Sequence, residues 1–159
     1  MTIDVQGVKQ DGAGEKLVAA SITNDMGFLL AKLHASGSVL NNRALADFNL
    51  KERSYSVLIL ADSGLEPTQR ELADFLSLDP SQIVALVDDL EKRKLVVRAP
   101  GKQDRRAKTV TATKAGSKLL DEAGKAARSA EAQALERLSA DEVATMKALL
   151  RKALWGGLA

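Results

Sequence analysis

Between Lys92 and Lys118 the chain holds ten basic residues and a single acid, Asp104. That stretch carries a net +9 in a protein whose formal charge is +2, so the remaining residues sum to −7. A positive patch on an acidic body is the electrostatic footprint of a polyanion binder. Its bland counterpart is a solvated lysine-rich face. Residues 101–116, GKQDRRAKTVTATKAG, decide how such a patch could act. A narrow loop bearing Arg105 and Arg106 suits a minor groove, where arginine finds strong negative potential. Lys102 and Lys108 beside it add attraction to phosphate, and a carboxylate such as Asp104 repels phosphate.

Other chemistry is excluded by composition. The chain has no cysteine, so disulfides, thiolate metal sites and cysteine nucleophiles are absent. His34 is the only histidine, too few for a triad or a histidine metal cluster. There is no phosphate-binding glycine loop, and no enzymatic activity, cofactor or metal is expected. No signal-peptide-like apolar core opens the sequence, and no apolar run approaches the roughly 20 residues of a membrane span. A cytoplasmic, nucleoid-associated protein with no membrane partner is the expectation.

The elements that must carry the patch can be read from periodicity and caps. The 159 residues suffice for one ordinary domain with a real core, and Ala, Leu, Glu, Lys and Arg favour helices. Residues 1–14 hold three glycines and no periodicity, which predicts a loose arm. From Glu15 to about Leu45 apolar residues recur at helical spacing, predicting one long helix bent or broken near Gly37. Ser54–Asp62 is too short to type by pattern; it is assigned as a helix because three marked helix starts come after it. Thr68–Glu71 and Ser139–Glu142 have the form of capping boxes, and Asp79-Pro-Ser-Gln82 puts an acid before a proline at a helix start. A Ser or Thr cap stabilises a helix by about 1 kcal/mol. LVVRAP and KTVTAT read as two strands of a hairpin around the basic loop. Helical patterns resume to about Leu138, and Val143, Met146, Leu149, Leu150 and Leu154 mark a last helix.

The middle of the chain therefore reads helix (68–76), turn (77–79), helix (80–93), strand, basic loop, strand. This is a helix-turn-helix with a two-stranded wing, suited to duplex DNA: one helix braces the backbone while the next enters the major groove. Peptide N–H groups near Ser81 and Gln82 suit a phosphate oxygen. TQRELADFLSLDPSQIVALVDDLEKRKLVVR followed by DRRAKTVTATKAG resembles the multiple antibiotic resistance regulator (MarR) family of winged-helix transcription factors. The resemblance extends over nearly the whole chain. Its most specific part is the wing: Asp104 and Arg106, a β-branched basic strand, then Thr113-Lys-Ala-Gly116.

The resemblance implies a mainly α fold, a winged helix-turn-helix with long dimerisation helices at the N- and C-termini. It divides the chain into an arm (1–14), an N-terminal dimerisation region (15–50), the DNA-binding domain (51–113) and C-terminal dimerisation helices (114–159). It places Arg105 and Arg106 at the wing tip with Asp104 bracing them, Gln69 and Arg70 beside the DNA backbone, and Ser81, Gln82, Val84 and Ala85 on the reading face. It also implies a pocket for a small aromatic effector between the first helix and the reading head. His34, Phe48 and Tyr55 are its candidate lining, with core packing the competing role for Phe48 and Tyr55. Three departures stand out. Val84, Ala85 and Asp89 replace more polar or basic residues, which thins hydrogen-bonded base reading and leaves thymine methyls as contacts for Val84 or Ala85; core packing is the competing role for Val84. Lys94 stands where glycine is usual, at a cost of about 1 kcal/mol if that residue is left-handed. Ala112 replaces a common leucine.

The expected protein is a homodimer on a pseudo-palindromic operator in double-stranded DNA, a repressor by default. The competing reading is a degenerate winged-helix dimer that makes protein contacts without sequence-specific DNA binding.

Overall fold

The computed structural model describes residues 15–101 and 108–156. Six α-helices and one two-stranded sheet make up the described chain: α1 (Met26–Leu45), α2 (Glu52–Asp62), α3 (Gln69–Leu76), α4 (Pro80–Lys92), β1 (Val96–Pro100), β2 (Lys108–Ala112), α5 (Lys114–Ala134) and α6 (Ala140–Trp155). Two compact units divide the chain inside α1, the first ending at Ser36 and the second starting at Gly37.

In the first unit the predicted single long helix is broken, and the break is not at Gly37. Residues Glu15–Ala19 and Ser21–Asn24 form two short 3-10 helices before α1 begins. The cause is Asp25, whose carboxylate accepts a 2.7 Å hydrogen bond from the Phe28 N–H and caps α1. Gly37 lies inside α1 and does not end it. Leu17, Val18, Ile22, Met26, Leu29, Leu30 and Leu33 all remain exposed.

The second unit holds the core. Val57 and Leu58 of α2, Leu72 of α3, Ile83, Val87 and Leu90 of α4, Val96 of β1 and Val110 of β2 are buried together with Leu45 and Ala123. This choice follows helical spacing: Ile83, Val87 and Leu90 recur every three or four residues and share one face. The segment left untyped by pattern, around Ser54–Asp62, is helical.

Helix starts are capped largely as the sequence predicts. The Thr68 hydroxyl accepts from the Glu71 N–H at 3.2 Å while the Glu71 carboxylate accepts from the Thr68 N–H at 2.7 Å. Ser139 and Glu142 repeat the arrangement. The start of α4 differs. Asp79 accepts from the Ser81 N–H at 2.8 Å and from the Ser81 hydroxyl, and no reciprocal bond from Gln82 completes a box.

Three helix ends close on non-glycine residues in the left-handed region. Asn49, Ser77 and Lys94 have φ of 51°, 52° and 60°. After each, the next N–H returns to a carbonyl five residues back: Leu50 to Leu45, Leu78 to Ala73, Leu95 to Leu90. These are Schellman closures, usually made by glycine. The strained Lys94 considered from sequence is thus real.

Helix α5 stops at Ala134, earlier than the expected Leu138, and Leu135–Leu138 form a turn. Lys147 of α6 pairs with Glu131 of α5 at 2.9 Å. Near the end of α6, Trp155 stacks on Phe75 of α3 with ring centroids 6.2 Å apart and planes 5° from parallel.

Candidate nucleic-acid interface

Helices α3 and α4 are joined by Ser77, Leu78 and Asp79, and each joint residue has a task. Ser77 is left-handed and ends α3; Leu78 is partly buried against the core; Asp79 caps α4, which begins at Pro80. Proline at the first helical position gives up only an N–H that would lack a partner anyway. The turn therefore fixes where α4 starts, and so where its leading peptide groups point.

One face of α4 is sealed into the core by Ile83, Val87 and Leu90. The opposite face presents Ser81, Gln82, Val84 and Ala85, all exposed. Val84 is 45% exposed whereas Ile83 beside it is 0%, so Val84 belongs to the outer face and not to the core. Ser81 is exposed but its hydroxyl is already donated to Asp79. That bond, with the one from the Ser81 N–H, holds the Asp79 carboxyl below its ordinary range.

The wing is tied to this head at three places. Strands β1 and β2 pair antiparallel, Val96 opposite Ala112 and Pro100 opposite Lys108. The Val110 N–H donates to the Pro67 carbonyl at 2.8 Å, and Thr68 bridges Thr109, so β2 is bonded to the residues leading into α3. At the far end of β2 the Thr113 hydroxyl donates to the Lys94 carbonyl at 2.7 Å and accepts from the Gly116 N–H at 3.1 Å. A Cβ on Gly116 would sit 2.1 Å from the Leu95 carbonyl oxygen. That gives the Thr-x-x-Gly spacing a physical reason: threonine caps α5 and glycine lets α5 start against the backbone below the wing.

Lys108 is exposed at the start of β2. Lys102, Asp104, Arg105 and Arg106 belong to the connection between the strands and lie outside the described residues. Arg70 is exposed on the outer side of α3, 3.9 Å from Asp74. Gln69 is half-buried, and its side-chain oxygen accepts from Arg98 Nε at 3.1 Å. The structure thus turns the Gln69 side chain toward β1.

Arg98 is the residue that sequence reasoning passed over. From β1 it reaches α3 through Gln69 and α4 through Glu91 and Asp88. Its own N–H donates to Glu91 at 3.1 Å. Burial alone would lower the guanidinium's pKa, but the hydrogen bonds and charges of Asp88 and Glu91 raise it above the usual arginine value. Arg93 does similar work at the same, C-terminal end of α4: it pairs with Asp89 at 3.4 Å and donates to the Asn49 and Phe48 carbonyls at 2.8 and 3.2 Å. No signal local to Arg98 announces this, because its partners lie 7, 10 and 29 residues away.

The profile of the MarR family matches residues 50–107, the stretch that begins just before α2 and holds the helix-turn-helix and β1. A transcriptional regulator of the MarR family from Rhodococcus sp. RHA1 is 37% identical, with a TM-score of 0.82, over 89% of this chain and 100% of that one. The chain belongs to the MarR family. CouR from Rhodococcus jostii RHA1, in a structure with p-coumaroyl-CoA, is likewise 37% identical, over 89% of this chain and 99% of CouR, with a TM-score of 0.78. A mutant MarR from E. coli complexed with operator DNA is 25% identical, over 84% and 98% of the two chains, with a TM-score of 0.71. This MarR-family chain is therefore a transcriptional regulator and not an enzyme, and its head is the family's winged helix-turn-helix.

The residues named for an effector fall in both units. His34 is exposed on α1 in the first unit, while Phe48 and Tyr55 pack against the core of the second. A cleft of about 370 Å³ lies between α5 and α6, lined by Arg128, Glu131, Leu135, Leu138, Val143 and Lys147 among others; it contains none of the three. Among the described residues no helix is long and apolar enough to cross a membrane.

Proposed function

We propose that this MarR-family regulator binds a pseudo-palindromic operator as a homodimer, represses from it, and is released by a small aromatic ligand. The observation that carries the DNA contact is the exposed face of α4, Ser81 to Ala85, seated on a sealed core beside a wing whose connecting residues are basic. Ser81 and Gln82 contact phosphate and base edges; Val84 and Ala85 touch thymine methyls. Arg70 flanks the backbone while Gln69, expected beside it from the sequence, is turned toward β1 and holds Arg98, and Lys102, Arg105, Arg106 and Lys108 form the wing contact, with Asp104 bracing the arginines.

Homodimerisation is supported by apolar side chains that the monomer leaves in solvent. Leu29, Leu30 and Leu33 on α1, and Leu149 and Leu154 on α6, are exposed at helical spacing. A two-fold pair of α4 helices would then address successive turns of the same DNA face, about 34 Å apart. The effector is an aromatic acid or its thioester, in keeping with p-coumaroyl-CoA on CouR. His34, Phe48 and Tyr55 remain its proposed contacts. The protein works on the nucleoid, in the cytoplasm.

Selection from fragmented genomic DNA, at low and moderate salt, tests this. Wild type is expected to enrich an inverted repeat, and Arg105→Ala/Arg106→Ala to lose at least about tenfold in affinity for it with a shallower salt dependence. No enrichment at either salt would favour the protein-contact reading instead.

A further inference from the structure

Helix α4 is an odd surface to press against DNA. Besides the exposed residues near its start it carries three acids, Asp88, Asp89 and Glu91. Asp88 matters most: it lies three residues after Ala85 and four after Val84, so it continues the same exposed face. An unattended carboxylate there would meet phosphate and be repelled.

Each of these acids has an arginine partner. Asp89 is held by Arg93. Asp88 and Glu91 are both held by Arg98, which arrives from β1 and is only 17% exposed. Arg98 is fastened at every part of its fork: Nη1 to Glu91, Nη2 to Asp88, Nε to the Gln69 side-chain oxygen. A guanidinium so committed is spent on the protein and has little left to offer a phosphate.

We propose that Arg98 is a positioning residue for DNA binding, a built-in countercharge that draws the Asp88 and Glu91 carboxylates toward the wing and lets the α4 face approach phosphate. The inference rests on α4 presenting that face to DNA. It separates Arg98 from the other basic residues of the stretch: its charge is consumed inside the head, and its effect on DNA passes through two acids.

The test is a mutant cycle read by fluorescence anisotropy on a labelled mixed-sequence duplex of about 30 bp, at about 50 and 150 mM salt. Arg98→Gln is expected to weaken binding by about tenfold or more. In the Asp88→Asn/Glu91→Gln background the same change is expected to cost less than about threefold, because no carboxylate remains to be countered. The salt slope should not fall by the roughly one unit that a lost phosphate contact removes. An equal loss in both backgrounds, or a slope reduced by about one, would overturn the assignment and make Arg98 a direct contact. So would an Arg98→Gln protein that binds within about threefold of wild type. If Arg98→Gln alone does not fold, Arg98→Lys, which keeps the charge but not the fork, takes its place in the cycle: a loss of at least about threefold that disappears in the Asp88→Asn/Glu91→Gln background is expected, and an equal loss in both backgrounds, or none in either, overturns the assignment. A wild type that binds no duplex at either salt would remove the DNA reading and this inference with it, whereas binding by wild type with no effect of Arg98→Gln removes the inference alone.

Discussion

Two residues show how little room the head has for substitution. Gly116 is required by space: its missing Cβ would fall 2.1 Å from the Leu95 carbonyl oxygen, a backbone atom that cannot swing away. Gly116→Ala should therefore cost about 3 kcal/mol or more, or abolish folding, as measured by urea unfolding. Lys94 is the opposite case. Its φ of 60° is a conformation that suits glycine, and no glycine is there. Lys94→Gly should raise stability by up to about 1 kcal/mol in the same measurement, because the Schellman closure between Leu95 and Leu90 is kept while the strain goes. Both residues sit at the junction that sets α4 against the wing, so the two variants bracket the tolerance of that junction from either side.

At the scale of elements, the helix starts respond to acid. Hydrogen bonds from Thr68 hold the Glu71 carboxyl below the ordinary range, and those from Ser139 do the same for Glu142. A carboxyl depressed in the folded state adds stability that is complete above its unfolded value, about 4, and disappears as pH falls through the lower folded value. Wild type should exceed Glu71→Gln in thermal midpoint at neutral pH, and the gap should close as pH drops below about 4. These starts were legible in the sequence because a cap is a local device whose partners stand three residues apart. The wing was legible from alternation in KTVTAT, and the head from the turn at Ser77–Asp79. What escaped was nonlocal or competitive. Asp25 broke the first helix because its carboxylate captures the Phe28 N–H, while Gly37, the better breaker by propensity, stays within α1. Arg98 looked like one more cation in a basic run, and only the folding of β1 beside α4 reveals that its charge is already engaged. The effector residues rest on the family resemblance, since a pocket is a shape shared among elements and no spacing encodes it.

For the whole molecule, the apolar stripe of α1 is the feature a single chain leaves unresolved by burial. Met26, Leu29, Leu30 and Leu33 recur on one side of the helix and stay exposed. A charge in that stripe should be nearly harmless to an isolated chain and damaging to an assembled one. Leu30→Glu is expected to raise the dimer dissociation constant by about tenfold or more, measured by sedimentation equilibrium, with helix content unchanged. The assembled form would also place two copies of every head residue on the same DNA, which makes binding steep in salt. The stacked pair of Phe75 and Trp155 has a use of its own. Trp155 is the only tryptophan in the chain, and its ring lies against the helix that braces the reading head. All indole emission therefore comes from one seam between α3 and the last turn of α6. Any shift of α3 against α6 would change the colour and yield of that emission. The protein carries its own optical gauge of head movement, with no label to attach and no second fluorophore of its kind to subtract.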